Sequence, residues 1–194
     1  RMAMTCGIGL NCAMASAVNA LGDVHGGAGQ QCMGLIADIA ARQDAGTARD
    51  DAVKAGIDEF RSEHGRFVPG FGHRFHSVDP RAVRLSELVH EAARKSVVSG
   101  RHLAIAEAIQ AYLSKGKKQP LAMNVDGITA AVLLELGFPA EMGRGIFILS
   151  RSVGICAHAF EQSKKGERIK GPSPPELGFR YTGVAPRKLP DGIG

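Results

Sequence analysis

The sequence predicts an all-α fold. Two observations carry that expectation. Apolar residues recur at helical spacing along nearly the whole chain, and no useful length of it alternates with the two-residue period of a strand. Alanine is abundant, aromatic residues make up 5% and tryptophan is absent, a composition suited to close-packed helices rather than a β-sandwich. The 194 residues are enough for one domain or for two small lobes.

The elements follow in order. Residues 2–21 read as one Ala/Met/Leu helix, apolar on most sides and therefore expected to be buried. Residues 28–43 form a second helix with Cys32, Leu35, Ile36 and Ile39 on its apolar stripe. Thr47 is placed to cap the next helix, whose buried face carries Val53, Ile57 and Phe60. Residues 65–80, "GRFVPGFGHRFHSVDP", break the periodicity and read as a loop, and so long a loop is usually functional. Asp79 and Pro80 then have the cap and first-turn chemistry of a helix start, with Val83, Leu88, Val89 and Ala92 inward and Ser99-Gly100 as its end. Residues 101–114 repeat the pattern with Leu103, Ile105, Ile109 and Tyr112. After the basic turn "KGKKQP", helices are expected over 128–136 and 141–162, separated by Gly137-Phe138-Pro139. The proline-rich C-terminal stretch reads as an extended tail.

The net charge of +5 suits anionic partners, but no dense basic block or interleaved aromatic set points to nucleic acid. Cys6, Cys12, Cys32 and Cys156 lie in apolar sequence without a CxxC pair and read as small buried hydrophobes in a reducing cytoplasm. The polar residues inside the first apolar run argue against a membrane span, and no secretory signal is recognisable. The chain starts with Arg inside an apolar pattern, so it reads as a piece of a longer polypeptide.

Three polar islands interrupt the apolar helices: His25 in "VHGGAG"; His73, Arg74 and His76 in "GFGHRFHSVDPR"; and Asp126 in "MNVDGITAAV". Taken singly each has a plain reading. An Asp ahead of an apolar helix reads first as an N-cap, and a lone His as a core or capping residue. His73 and His76 lack the partners of a zinc site, so no metal is expected. Taken together, two imidazoles and a carboxylate in glycine-rich backbone at helix–loop junctions suit an enzyme handling an enolate. Such an enzyme needs a base for a C–H proton and donors for the developing oxyanion.

In this order and spacing, "GDVHGGAGQ", "VPGFGHRFHSVDPRA", "NVDGITAAVLLELGFP" and "ILSRSVGICAHAFEQ" resemble the citrate synthase superfamily, most of all its citryl-CoA lyase branch. The resemblance runs from about residue 1 to residue 183. It implies a multi-helical fold of two lobes. Residues 27–137 would form a small CoA-binding lobe, and 1–26 with 138–194 parts of the large lobe. His25 matches the donor to the thioester carbonyl, Asp126 the base for the methyl proton, and His73 the donor to the oxaloacetate keto oxygen. Arg81 and Arg151 match arginines that grip substrate carboxylates, a task for the bidentate guanidinium fork. Val68, Pro69, Gly70, Phe71 and Gly72 match the backbone that cradles coenzyme A, with Arg66, Arg74, Lys117 and Lys118 expected from their charge to meet its phosphates.

The resemblance further implies no covalently bound cofactor, a coenzyme A thioester as substrate, and a homodimer in the cytoplasm. The leading expectation is cleavage of citryl-CoA to acetyl-CoA and oxaloacetate. A citrate synthase is the alternative, and a non-catalytic acyl-CoA-binding subunit the alternative of another class. Two departures stand out. A further substrate histidine of the family would precede Arg1. The family's C-terminal Arg-Pro is replaced by Gly171-Pro172, leaving Lys170 or Arg180 as substitutes. Gly127, after the base, resembles the lyase branch.

Overall fold

The computed structural model describes residues 1–73, 77–169, 171, 174–178, 181 and 183–187. Among these it has eight α-helices, a short 3-10 turn at Pro175–Leu177 and no strand beyond two isolated bridges. The helices are α1 (Met2–Thr5), α2 (Leu10–Asn19), α3 (Ala28–Asp44), α4 (Arg49–His64), α5 (Pro80–Arg94), α6 (Arg101–Ser114), α7 (Val125–Glu135) and α8 (Met142–Lys165).

The core sits between α3 and α7, with α4, α5 and α6 packed around them. Its largest side chains include Met33, Ile36, Ile39, Ile57, Leu103, Ile105, Ile109 and Ile128, all with almost no exposed surface. Burying each such side chain contributes about 2 kcal/mol. The expected stripes of α3 and α6 are therefore the ones observed, and Val53 and Ile57 of α4 are buried too.

Several expectations are corrected. The first apolar run is two helices, because Gly7 turns the chain at φ 83° between them. Nor is it buried: α2 lies along α8, and Ala13 is its only buried residue. Thr47 does not cap α4. Its N–H donates to the Arg42 carbonyl while that of Gly46 donates to Gln43, so Thr47 closes the end of α3 and Ala48 precedes α4. Helix α5 ends at Arg94, where Ser96 takes φ 57° and the N–H groups of Ser96 and Val97 bond back to Ala93 and Ala92. Val83 and Leu88 of α5 are exposed, whereas Val89 is buried. All four cysteines are free thiols, but Cys6 and Cys12 are exposed and only Cys32 is fully buried.

The surface reflects this division. Leu149 and Val153 of α8 are 71% and 77% exposed, and Met2 is 75% exposed. No helix among the described residues is long and apolar enough to cross a membrane.

Candidate active site

The site is built where the glycine loop meets the start of α7. Gly65, at φ 87°, ends α4 and releases the chain into that loop. Arg66 lies over the ring of Phe67, both exposed, with 4.7 Å between the guanidinium carbon and the ring centre. Val68 and Phe71 turn inward and are buried, which anchors the loop.

Residues 70–72 then pair with 122–124 as a two-stranded clamp. The Gly72 N–H donates to the Ala122 carbonyl at 2.7 Å, and the Asn124 N–H donates to the Gly70 carbonyl at 2.9 Å. The Asn124 side-chain amide donates to the Gly72 carbonyl at 2.7 Å. Gly70 is required at φ 86°, and a Cβ there would lie 2.7 Å from both the Cys32 sulfur and the Gly127 Cα. A Cβ on Gly127 would lie 2.3 Å from the Gly70 oxygen. Two glycines therefore let the loop backbone touch the first turn of α7.

This arrangement decides what Asp126 does. It is not the N-cap. Asn124 is, its side-chain oxygen accepting from the N–H groups of Asp126 and Gly127 at 2.9 and 3.3 Å. Asp126 falls in the first helical turn, half-buried, and its carboxylate accepts no hydrogen bond among the described residues. Its charge is felt below by Cys32, whose thiol is pushed up to about 12 by burial and then by Asp126. It is felt on the other side by the Arg81 guanidinium.

Arg81 is held by Asp79. The Asp79 carboxylate caps α5 by accepting the Arg81 N–H at 3.0 Å, as the sequence predicts, and also grips the guanidinium through Nε at 3.0 Å and Nη2 at 2.9 Å. A fourth bond comes from the Val125 N–H at 3.0 Å. Asp79 is 2% exposed. The Arg81 hydrogen bond is the largest influence on it and, with the backbone bonds, holds its carboxyl at about 2 against the opposing effect of burial.

His73 is exposed at the mouth of a groove of about 780 Å³, walled by α5, α6 and residues 119–123. Asp79 and Val83 line it, which accounts for the exposure of Val83. Gln119 and Pro120 form its edge, directly after the exposed Lys117 and Lys118. His90 and Glu107, not marked by the sequence patterns, face each other across its side at 2.9 Å. Arg74 and His76 lie outside the described residues, as do Lys170 and Arg180.

His25 is on a separate, exposed turn between α2 and α3. The Gly22 N–H donates to the His25 carbonyl at 2.9 Å and closes the turn. An ion pair from Arg144 to Asp23, and the Arg144 N–H on Gln30 at 3.3 Å, pin the turn to α8. Gly26, at φ 102°, packs beside Phe147. Arg151 stacks on that same ring, with 4.4 Å between its guanidinium carbon and the ring centre. The structure thus gathers His73, Arg81, Asp126 and the 68–72 loop on one side, and the His25 turn with Arg151 on the other. Arg151 lines a pocket with Arg1, Ala13 and His158, apart from the groove that Asp79 lines. Among the described residues no group of three His, Cys, Asp or Glu side chains is placed to hold a metal ion.

The fold and this clamp of a glycine loop on a carboxylate-bearing helix define an all-helical protein whose candidate site lies where residues 70–72 meet the start of α7. The model of the citrate synthase C-terminal domain matches residues 1–173, and the chain belongs to the citrate synthase family. A citrate synthase of Haloferax volcanii is 34% identical over 176 residues, 88% of this chain and 41% of that protein. A 2-methylcitrate synthase of Shewanella oneidensis is 32% identical over 169 residues, 87% of this chain and 40% of that protein. The chain thus spans about two fifths of the length of these curated relatives. Among solved structures, the citryl-CoA lyase of Hydrogenobacter thermophilus superimposes with a TM-score of 0.71 at 32% identity, over 96% of this chain and 68% of that one.

Proposed function

We propose that the chain supplies the enol-forming half of a site that breaks or makes the carbon–carbon bond between acetyl-CoA and oxaloacetate, and that its reaction is the lyase one. The observation that carries the reading is the free carboxylate of Asp126, released from capping by Asn124 and set where the 70–72 backbone meets α7.

In cleavage, His73 accepts the proton of the citryl hydroxyl as the carbon–carbon bond breaks and the keto group of oxaloacetate forms. The electron pair passes to the thioester as an enolate whose oxygen accepts a hydrogen bond from the His25 N–H. Asp126 returns a proton to the enolate carbon, giving acetyl-CoA. Condensation is the reverse, with Asp126 as base. Arg81 and Arg151 bind the carboxylates of the four-carbon fragment. The thioester arm lies along Val68–Gly72, with Arg66, Arg74, Lys117 and Lys118 toward its phosphates.

One feature supports the assignment of lobes and another the homodimer. The core cluster lies wholly between Cys32 and Ala131, in keeping with a small lobe over 27–137. The exposed Met142, Leu149, Val153 and Phe160 of α8 suit a homodimer contact, since an uncovered apolar helix face needs a partner. A cytoplasmic location belongs to the same reading.

Two observations favour the lyase over a citrate synthase: the lyase structure's coverage of nearly the whole chain, and Gly127 beside the base. The synthase remains the second reading because of the citrate synthase relatives. The test is to supply citryl-CoA, and separately acetyl-CoA with oxaloacetate, to the complete gene product. Cleavage of citryl-CoA without net release of free CoA thiol supports the lyase. Release of CoA thiol from the second pair supports a synthase. Binding of CoA without turnover of either supports the non-catalytic subunit.

A further inference from the structure

We propose that Asp79 is a positioning residue that sets the substrate arginine and the base-bearing helix in one frame, beyond its service as a helix cap. A cap needs one acceptor for one backbone N–H. Asp79 does more, because its two oxygens take four donors: the Arg81 N–H, Arg81 Nε, Arg81 Nη2 and the Val125 N–H, all at 2.9–3.0 Å. Two of these fix a guanidinium in its plane. A third fixes the residue immediately before Asp126. The carboxylate is 2% exposed, whereas the Arg81 side chain is 59% exposed. A buried anion thus holds a cation whose far side faces solvent.

The geometry leaves Arg81 fit for a second carboxylate. Nε and Nη2 form the side edge of the guanidinium, and Asp79 takes that edge. The end edge, Nη1 with the remaining Nη2 hydrogen, is still a two-pronged donor. A ligand carboxylate received there lies at a distance from α7 that one buried side chain determines. Rotation of Arg81 or slippage of α7 would each break bonds to Asp79, so the clamp and the base move together or not at all. Glu135, a second buried carboxylate, at the end of α7, holds donors at the start of α6 and no substrate group. It is the internal control.

The proposal rests on the roles given above to Arg81 and Asp126, and the test separates the two claims. In the complete gene product, Asp79→Asn and Asp79→Ser are compared with Glu135→Gln. Serine keeps the cap on α5 and loses the guanidinium grip and the Val125 bond. Both Asp79 variants are expected to raise the KM for oxaloacetate about 10-fold and to lower kcat about 10-fold, with the KM for acetyl-CoA within about twofold of wild type. Glu135→Gln is expected to lower Tm and leave all three constants unmoved. Oxaloacetate-induced elevation of Tm gives a readout independent of turnover, and it should be lost in Asp79→Ser while the elevation by CoA persists.

An Asp79→Ser protein with wild-type KM, kcat and oxaloacetate shift overturns the proposal. A wild type that binds oxaloacetate without turnover sinks the reaction assigned above, and the Tm shift of Asp79→Ser then decides on Asp79 alone. A wild type that neither turns over nor binds oxaloacetate overturns both.

Discussion

The two ends of α7 each carry a carboxylate, and the two are used in opposite ways. At the C-terminal end Glu135 is fully engaged. Its oxygens accept from the Ser99 hydroxyl at 2.8 Å and from the N–H groups of Gly100 and His102 at 2.9 and 2.7 Å, so it caps α6 from a neighbouring helix. Burial pushes its carboxyl up, and the Ser99 and backbone bonds outweigh this and hold it below the usual range. At the N-terminal end Asn124 does the capping, Asp79 takes the Val125 N–H, and Asp126 is left with no structural duty. The difference separates a carboxylate that stabilises the fold from one available for chemistry. Both stand on one helix, and only the surrounding donors distinguish them.

Changes at either end sharpen or break that contrast. The largest effect is expected from Asp126→Ala. Citryl-CoA cleavage should fall about 1000-fold, the scale of a lost general acid–base group, with Tm almost unchanged. Equal loss of stability and activity would erase the contrast. Glu135→Ala should do the reverse. It strands buried N–H groups at the start of α6 and should destabilise the fold by about 3 kcal/mol in urea unfolding, with turnover per folded molecule retained. Gly127→Ala comes next. Its Cβ would meet the Gly70 oxygen at 2.3 Å, so the loop must leave α7, and the KM for the CoA ester should rise about 10-fold. A silent Gly127→Ala would show that the close approach of the two backbones does not matter to the site.

The mildest effect is on acid stability. Asp79 has a folded pKa of about 2, below the ordinary aspartate value of 3.8. Its stabilisation is present above pH 3.8 and is lost as pH falls through about 2. Urea midpoints should therefore decline across that window, and Asp79→Asn should remove part of the decline while Glu135→Gln leaves that part in place.

Local patterns made much of this legible. The apolar stripes of α3 and α6 have a single face each, and that face is the one buried. The motifs that resemble the citrate synthase family fall, among the described residues, on the turn before α3, the loop before α5, α7 and α8. What was not legible depended on contacts distant in sequence. In "NVDG" either Asn124 or Asp126 could cap α7 by spacing alone. Asn124 takes the role because the Gly70 and Gly72 carbonyls fix its backbone and amide. Thr47 looked like a cap for α4 and instead closes α3, since Gly46 allows the chain to turn back first. Val83 fits the buried pattern of α5 but lines an open groove, and Leu88, outside that lining, is exposed as well. The exposed α2 and α8 show the same limit, because an apolar pattern specifies the need for cover and not what provides it. Asp79 was readable as a cap, while its grip on Arg81 and Val125 required the fold.

Proton exchange tests the role of Asp126 most directly, because it isolates C–H chemistry from bond cleavage. Acetyl-CoA is incubated in D2O with the complete gene product and malate, a dicarboxylate that cannot condense. The wild type is expected to exchange the methyl protons for deuterium, and Asp126→Asn to bind acetyl-CoA with unchanged affinity and exchange none. Exchange at the wild-type rate in Asp126→Asn would contradict the account.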